Sequence, residues 1–567
     1  MAFILDLTQR LQALAPGADA ATILLDAVLE AKQHEECTLR LPKGTYHIYP
    51  DRAFEKHYFI SNNDEGLKRI AFPLIGCRNL TVDGGGADLI FHGKVVPFVV
   101  DGSQNVTISN LTIDYDRPFF TQGKILSFGE NKLVLSIDAQ QFPYKVENGQ
   151  ITFLAENWSR TGFENFLELD CCTRGPAYHV GDDWTAGKQV LCRELSPGVV
   201  EFQMEFARPH KPGNMMAISH VLRHVPGIFV SESRDVTVKN VTVYHAPAMA
   251  FIAQFTENIT LKNYNVMLRK GTSRYISATA DASHFVNCTG LITIDSCILE
   301  HQKDDPVNVH GINTVISRIC DEHTIEVAFM HYEQNGLPLY QPGDRISILK
   351  RDSMLSYFHG TVTRVFPVNQ NYVRLTLDTP VPAGCLNDAV ENDQKMPELI
   401  IRGCRVGYNR ARGFLITTNR KVLVEHNHIY SPGAGILIEG DANFWFESGA
   451  VQDVTIRENH FENCAISQWG QAAITINPSV APEADGETKC HRNIRILSNR
   501  FDSFDGAIVW GHSVDGLTFQ GNTVVKSDLY EPFRQVRHCI ELSRCKNVTV
   551  RENTYQGFEE SLTEFDG

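Results

Sequence analysis

The chain has 567 residues, of which 43% are hydrophobic and 21% are charged. This composition excludes a disordered chain and a small disulfide-stapled scaffold, and the length provides about two to four domains' worth of chain. Lys and Arg number 52 against 67 Asp and Glu, which gives a formal net charge of −15. The acidic balance argues against nucleic acid or an anionic membrane as the partner, and it favours a neutral substrate.

The first segments of the chain predict helices. Residues 1–15, MAFILDLTQRLQALA, have the spacing of an amphipathic helix and do not resemble a secretion signal. Because a processed chain would look the same, secreted, periplasmic and cytoplasmic locations all stay open. The segment that begins at Asp19 has helical spacing after an Asp cap, and it predicts a helix that shields the open end of the fold. No apolar run approaches the roughly 20 residues that span a bilayer.

A short phrase then recurs along the chain: an alternating apolar run, an Asn, and a second apolar pair. Alternation with period two predicts short strands with one buried face. Neighbouring Asn are about 23 to 40 residues apart, which predicts the stacked coils of a parallel β-solenoid. The Asn side chains are expected to form a ladder, and their position shifts by one residue midway, so the coil changes its corner. These Asn are Asn110, Asn240, Asn263, Asn427, Asn459, Asn499, Asn522 and Asn553.

Two stretches lose the phrase and show longer strands separated by turns. They predict small antiparallel β-barrel domains inserted into the solenoid, and insertions on one face commonly frame a binding surface. Gly84 to Gly86 are predicted as a tight coil corner, and the fourteen cysteines as mostly buried free thiols. The expected domains are 1–117 for the cap and first coils, 118–223 for the first insert, 224–313 for the coils that carry the candidate acids, 314–397 for the second insert, and 398–567 for the C-terminal coils.

Three acids on adjacent predicted coils are the strongest candidates for catalysis. Asp281 lies in TADASHFVNC, and Asp304 and Asp305 lie in QKDDPVNVHG, one coil further on. Hydrolysis of a glycosidic bond needs one carboxylic acid and one carboxylate, and crowded carboxylates raise one another's pKa. A second Asp pair, in Gly181–Trp184, has no third acid one coil away and is predicted as a surface turn.

The two motifs around these acids resemble glycoside hydrolase family 110, and the likeness extends across most of the chain, including NRARGFLI from Asn409 and GILIEGDANFWFESG from Gly435. The resemblance implies an all-β, right-handed parallel β-helix with an N-terminal capping helix and two barrel inserts. It also implies an inverting, exo-acting α-1,3-galactosidase on galactose-terminated oligosaccharides or glycans, linear or branched as in blood group B.

A more distant resemblance to polygalacturonases, which share Asp-Asp followed by His-Gly on a β-helix, implies roles for the acids. Asp304 would be the general acid, and Asp281 and Asp305 would hold the water. Polygalacturonases bind uronates with an Arg-x-Lys segment, whereas this chain has Arg410-Ala411-Arg412, so the analogy supports the acids better than the substrate.

Seven further residues are predicted to bind the substrate through hydroxyl contacts, pairing with the acids, or stacking of an aromatic face on galactose. They are Arg274, Asn308, His310, Arg410, Arg412, Glu439 and Trp445. No cofactor and no metal site are predicted, since His34-Glu35-Glu36-Cys37 lacks the second His of a zinc-protease motif.

Two other functions stay open from the sequence. One is a β-helix polysaccharide lyase that uses Ca²⁺, which the acidic chain and the lack of a clustered basic groove count against. The other is a noncatalytic carbohydrate-binding or adhesive solenoid, in which the three acids would contact the ligand. The oligomeric state is unreadable, although the projecting inserts offer surface for a homodimer.

Overall fold

The computed structural model describes residues 3–221, 223–534, 538–559 and 562–565. A parallel β-helix forms the body of the fold, as the Asn phrase predicts. Each phrase is a strand with one buried face; in Arg234–Val243, for example, the valines are buried and the residues between them are partly exposed. Among the described residues, no helix is long and apolar enough to cross a membrane.

The first sheet of the β-helix contains 21 of the described strands. Neighbouring coils pair in parallel and in register, so Val236 lies opposite Val106 on one side and Ile259 on the other. The resulting columns of apolar side chains join into one core along the helix. The strands are Phe3–Asp6, Cys37–Arg40, Thr45–Ile48, Arg78–Phe91, Gln104–Tyr115, Arg234–Val243, Glu257–Val266, Thr289–Asp295, Ile298–Glu300, Glu398–Arg402, Arg405–Gly407, Lys421–Glu425, His428–Tyr430, Asp453–Arg457, His460–Glu462, His491–Leu497, Arg500–Ser503, Val514–Gln520, Thr523–Lys526, Lys546–Arg551 and Thr554–Gln556.

A second set of strands also pairs in parallel from coil to coil. Within it, His284 lies opposite Asn308, which brings the segments around the predicted acids side by side. An additional strand, Phe54–Tyr58, pairs antiparallel with the first member of the set. The set consists of Gly66–Ile75, Val96–Asp101, Ile228–Ser231, Phe251–Gln254, His284–Val286, Val307–Ile319, Phe414–Ile416, Ile436–Ile438, Ile474–Ile476, Val509–His512, Ile540–Ser543 and Leu562–Phe565.

The Asn ladder is confirmed, and it has an outer and an inner part. In the outer part, the Asn240 amide donates to Asn110 Oδ1 at 3.0 Å, and the Asn263 amide donates to Asn240 Oδ1 at 2.9 Å. These three Asn have φ between 48° and 58°, so they form the corner themselves. Asn accepts this left-handed backbone more readily than most residues because its short side chain bonds locally.

The inner part of the ladder is buried, which explains the shift of the Asn by one residue. The backbone N–H and the amide of Asn459 both donate to Asn499 Oδ1 at 3.0 Å, and Asn427 bonds to Asn459 in the same way. Here the residue before the Asn takes the left-handed turn, as Glu458 and Ser498 do. The Asn side chain is thereby free to enter the core and satisfy backbone groups there.

The N-terminal cap contains the expected helix and an unexpected strand. The helix spans Ala21–Ala31, and Asp19 Oδ1 accepts a hydrogen bond from the Ala21 N–H at 2.9 Å. The amphipathic helix predicted for residues 1–15 is wrong over the described part, since Phe3–Asp6 is a strand paired with Cys37–Arg40 and the helix is reduced to Thr8–Gln12. Met1 and Ala2 lie outside the described residues. Pairing with the open edge of the first coil outweighs the local helical spacing.

Two smaller expectations are also met. Gly85 and Gly86 have positive φ and interrupt the register of Arg78–Phe91, so the glycine run forms a coil corner. A side chain at Gly85 would meet the Leu41 carbonyl at 2.4 Å. Within the described residues the cysteines form no disulfide, and most of them are buried.

The first insert consists of antiparallel strands with a hydrophobic core of its own, which includes Phe166 and Phe202. A seven-stranded sheet has the order Asp183–Trp184, Asn165–Leu169, Met215–Ser219, Thr121–Gly129, Lys132–Ile137, Val199–Gln203 and Leu191–Ser196. A separate three-stranded meander consists of Tyr144–Glu147, Gln150–Ala155 and Trp158–Thr161.

The second insert is a closed antiparallel barrel of six strands. It shares its first strand with the β-helix, because Val307–Ile319 begins in the second parallel set and ends in the barrel. Around the barrel the strands follow the order Val307–Ile319, Thr324–Ala328, Tyr372–Leu377, Ser356–Asn369, Arg345–Leu349 and Ala389–Glu391, and the last pairs with the first. Glu447–Ser448 pairs with the shared strand at Gly311, and short 3-10 turns occupy Pro50–Arg52, Tyr332–Gln334 and Pro482–Ala484.

Candidate active site

The three predicted acids line one cavity of about 430 Å³. Asp281 precedes the strand His284–Val286, and Asp304 and Asp305 precede the neighbouring strand Val307–Ile319. The Ala282 N–H donates to the Asp305 carbonyl at 2.9 Å, which fixes the two coils against each other at this level. Side chains from both inserts complete the wall of the cavity.

Asp304 is the acid that faces the cavity most openly, with 17% of its side chain exposed. One of its oxygens lies 3.2 Å from an Arg223 nitrogen, and the other lies 3.2 Å from an Arg410 nitrogen. Burial alone would raise the pKa of Asp304, but the charges of Arg410 and Arg223 lower it below its usual range. Asp304 is therefore a carboxylate.

Asp281 and Asp305 are almost completely buried beside it. Asp305 accepts hydrogen bonds from the backbone N–H and the guanidinium of Arg412, each at 2.9 Å. Burial raises the pKa of Asp305 although the Arg412 charge opposes this. Burial, and next the negative charge of Asp304, raises the pKa of Asp281 well above its usual range. The site thus combines one exposed carboxylate with two carboxyl groups of raised pKa.

A hydrogen-bonded chain behind Asp281 determines where its proton lies. His310 Nδ1 is 2.7 Å from the Gly311 carbonyl, which only accepts, so this nitrogen carries a hydrogen. His310 Nε2 then accepts from His284 Nε2 at 2.8 Å, and His284 Nδ1 faces Asp281 Oδ2 at 2.6 Å. Burial lowers the pKa of His284 to about 4. A neutral His284 with its hydrogen on Nε2 accepts at Nδ1, which leaves the shared proton on Asp281.

Each arginine that pairs with Asp304 also pairs with an acid from one insert. Arg410 makes a bidentate contact with Asp182 of the first insert at 2.8 to 3.1 Å. Arg223 lies 3.1 Å from Glu333 of the second insert. The prediction that Gly181–Trp184 is a surface turn is wrong, because Asp182 is buried against Arg410 across 228 residues of sequence.

Five of the seven predicted binding residues line the cavity: Asn308, Arg410, Arg412, Glu439 and Trp445. Arg274 does not, because its guanidinium is bonded to Asp114 at 2.7 Å and to the Tyr115 carbonyl at 2.8 Å. The prediction of Arg274 as a binding residue is therefore corrected to a structural role. His310 is fully buried behind His284, and it reaches the cavity through that ring and through Glu447, which lies 3.5 Å from His310 Nε2.

Two lining residues have unusual ionisation. Burial raises the pKa of Glu439 to about 7, since the Arg412 charge only partly compensates. Burial lowers the pKa of Lys303 to about 8, and its ammonium group donates to Asn165 Oδ1 at 3.0 Å. Both groups change charge near neutral pH.

Sequence reasoning missed Arg223, His284, Glu333, Glu447 and the role of Asp182. His284 was the easiest of them to predict from sequence, because it follows Asp281 by three residues in the same motif. Arg223 stands alone at the end of the first insert, and Glu333 lies in a loop of the second. Their pairing depends on how the inserts sit on the helix, which no local pattern records.

Among the described residues, His284, His310 and Glu447 offer ligand atoms within 4.8 Å of one another. A metal ion bound by them would have to replace the hydrogen bond between the two imidazoles and the contact of 3.5 Å between His310 Nε2 and Glu447. The two imidazoles belong to the hydrogen-bonded chain behind Asp281.

Comparison with known proteins adds the following similarities. Residues 121–216 match the family model for GLAA-B beta-barrel domain I, and residues 324–389 match that for GLAA-B beta-barrel domain II. Alpha-1,3-galactosidase B of Bacteroides thetaiotaomicron is 32% identical over 95% of this chain and 89% of its own length. Alpha-1,3-galactosidase A of Shewanella woodyi is 32% identical over 96% of this chain and 90% of its own length. A solved A-module of a mannuronan C-5 epimerase from Azotobacter vinelandii aligns over 98% of this chain and all of its own, with 12% identity and a TM-score of 0.42.

Proposed function

Because this chain belongs to the family of the alpha-1,3-galactosidases, we propose that it removes terminal α-1,3-linked galactose from oligosaccharides or glycans with inversion at the anomeric carbon. The observation that carries the proposal is the set of three carboxyl groups in one cavity, one of them open and two of them deep. Inverting hydrolysis needs a proton donor at the departing oxygen and a base at a water on the opposite face of the sugar.

In this proposal Asp304 protonates the departing oxygen, because its oxygens face the open part of the cavity. Asp281 and Asp305, which are almost completely buried, hold the attacking water in the deeper part of the cavity. Asp305 accepts the proton of that water, because the two hydrogen bonds from Arg412 hold it as a carboxylate and its raised pKa makes that carboxylate a stronger base. The protonated Asp281 orients the water through its second oxygen.

Asp304 is paired as a carboxylate, so substrate binding has to release it from at least one arginine, and Asp304 then takes up a proton from solvent before it donates that proton to the departing oxygen. Both arginines have a second partner for this step: Arg410 keeps Asp182 and Arg223 keeps Glu333. Neither guanidinium is then left as an unpaired buried charge, which would be costly. The guanidinium forks also provide donors for sugar hydroxyls.

The experiment that tests the function is a proton NMR time course with galactosyl-α-1,3-galactose. Initial release of β-galactose before mutarotation is expected for single displacement by water. Initial α-galactose would require a nucleophile and would overturn the proposed mechanism. No release from this disaccharide or from its branched, fucosylated counterpart would overturn the proposed activity.

A further inference from the structure

We propose that a strip of aromatic rings at the mouth of the cavity binds the sugar units that follow the terminal galactose. The strip consists of Tyr332, His331, Trp445 and Phe444, and the inference rests on the proposed function. Tyr332 and His331 belong to the second insert, whereas Trp445 and Phe444 belong to a corner of the β-helix that follows the strand Ile436–Ile438. The strip therefore joins two parts of the fold.

The four rings form a continuous row. Tyr332 stacks on His331 with 4.8 Å between ring centroids, His331 lies 5.1 Å from Trp445, and Trp445 meets Phe444 edge to face at 5.2 Å. Tyr332, His331 and Trp445 line the cavity that contains the acids, and Phe444 lies beyond it. The row therefore leads from the cavity wall to exposed surface at Phe444, and the leaving sugars of a bound glycan lie along it.

The exposure of these rings does not stabilise the fold. Tyr332 is 73% exposed, Phe444 is 72% exposed and Trp445 is 41% exposed. Keeping large apolar rings in water is unfavourable, and a contiguous exposed group of them marks an interaction surface. The apolar faces of sugar rings stack on aromatic side chains, and Asn62, which lines the same cavity, offers a hydrogen-bond partner for hydroxyl groups.

The strip is held rigid, which is expected of a binding platform. Asp441 Oδ2 accepts hydrogen bonds from the backbone N–H groups of Phe444 and Phe446 at 2.8 and 3.1 Å, and also from that of Trp445. The Gln334 amide donates to the Trp445 carbonyl at 3.1 Å, so the loop of the second insert is tied to the corner of the β-helix. A surface ordered before binding loses less conformational entropy when the ligand arrives.

The first insert also presents an aromatic ring at this cavity. Trp184 of the first insert is exposed and lines the same cavity. The leaving sugars therefore have an aromatic surface on the first insert as well as on the strip. Since the strip extends beyond the cavity to Phe444, its occupant is an oligosaccharide of at least three units rather than a disaccharide.

The test compares a long and a short substrate in the variant Phe444→Ala, because Phe444 is the ring of the strip that lies beyond the cavity. The long substrate is a trisaccharide ending in galactosyl-α-1,3-galactose, and the short one is p-nitrophenyl α-galactoside. We expect kcat/KM for the trisaccharide to fall by about tenfold or more in this variant, and kcat/KM for the short substrate to change by less than about twofold. Phe366→Ala is the matched control, because Phe366 is 52% exposed on the second insert and does not line the cavity.

Equal losses on both substrates, or no loss on either, would overturn the proposal that the strip binds the leaving sugars. Calorimetric titration of Asp304→Asn with the trisaccharide separates this result from a failure of the proposed function, since binding needs no turnover. Adding Phe444→Ala to that variant should weaken binding of the trisaccharide by about tenfold and leave binding of free galactose unchanged. Unchanged trisaccharide affinity would refute the strip even if the chain hydrolysed neither substrate.

Discussion

Asp304 is the residue at which the β-helix and both inserts meet. Its two oxygens pair with Arg223 and Arg410, and each arginine is held by an acid of a different insert. The ionisation of this one carboxyl group therefore depends on three regions of the chain. A residue assigned from a motif of ten amino acids has its properties set by partners 81 and 106 residues away.

Replacement of Asp304 tests its role as proton donor. In Asp304→Asn, we expect kcat for galactosyl-α-1,3-galactose to fall by about 10²- to 10⁴-fold, because the departing sugar oxygen needs a proton. A dinitrophenyl galactoside leaves without that help and should retain most of its rate. Rates measured on both substrates distinguish a proton donor from other roles. Equal losses on the two substrates would mean that Asp304 binds the substrate or positions the attacking water instead.

Glu439 provides a test of electrostatics within the fold. Burial raises its pKa from the ordinary value of 4.5 to about 7, so the folded chain binds more protons than the unfolded chain between these pH values. This contribution to stability is present below about pH 4.5 and is lost as the pH rises towards about 7. A Gln at this position does not titrate, so its contribution to stability does not change over this pH range. Urea unfolding should therefore show Glu439→Gln gaining stability relative to the parent from about pH 5 to pH 7, and a constant difference would contradict the shift.

At the scale of elements, the two parts of the Asn ladder do different work. Asn459 is buried and bonds to Asn427, to Asn499 and to the Val424 carbonyl. The outer Asn263 bonds at the exposed surface and forms the corner with its own backbone. The inner Asn thus stabilise the core, whereas the outer ones mainly shape the turn.

Removal of one Asn from each part tests this division. Asn459→Ala leaves buried donors and acceptors unpaired, and we expect a loss of about 2 to 4 kcal/mol in the free energy of unfolding. Asn263→Gly keeps the left-handed backbone and should cost less than about 1 kcal/mol. Denaturant titration of both variants gives the comparison, and equal losses would show that burial of the ladder carries no extra stability.

The repeat makes the strands of the β-helix predictable from sequence, because alternation and the Asn corner agree wherever the phrase occurs. The N-terminal strand was not predictable in this way. In Phe3–Asp6 the apolar spacing also fits a helix, and pairing with Cys37–Arg40 decides between the two. The acids could be found because they lie in two compact motifs, whereas Arg223 and Glu333 could not, because their contacts form only when the inserts dock.

At the scale of the whole molecule, the inserts help to set the chemistry of the cavity. Asp182 contributes no surface to the cavity wall, yet it neutralises Arg410 beside Asp304. The sequence predicted the first insert as a frame for a binding surface and its Asp pair as a surface turn. Only the packing of the insert on the β-helix reveals that Asp182 belongs to the site.

Asp182→Asn tests this connection. Without the Asp182 charge, Arg410 acts more strongly on Asp304 and lowers its pKa further, so less of the acid form is available. We expect kcat/KM at pH 7 to fall about tenfold and its alkaline limb to move to lower pH. The control is Glu194→Gln, which removes one negative charge from the same insert at a position bonded to Tyr144. A uniform loss with an unchanged pH profile would assign Asp182 to folding alone.

The strand Val307–Ile319 has a further consequence for motion. Its first residues lie in the β-helix just after Asp305, and its last residues form part of the second barrel, with no loop between the two parts. A swing of the barrel would bend a continuous strand whose first ten residues are buried. The second barrel is therefore not a hinged lid, and substrates reach the acids through an opening that is already formed. Slow hydrogen exchange from Asn308 to Ile316, unchanged by added galactose, is the expected sign of this rigidity.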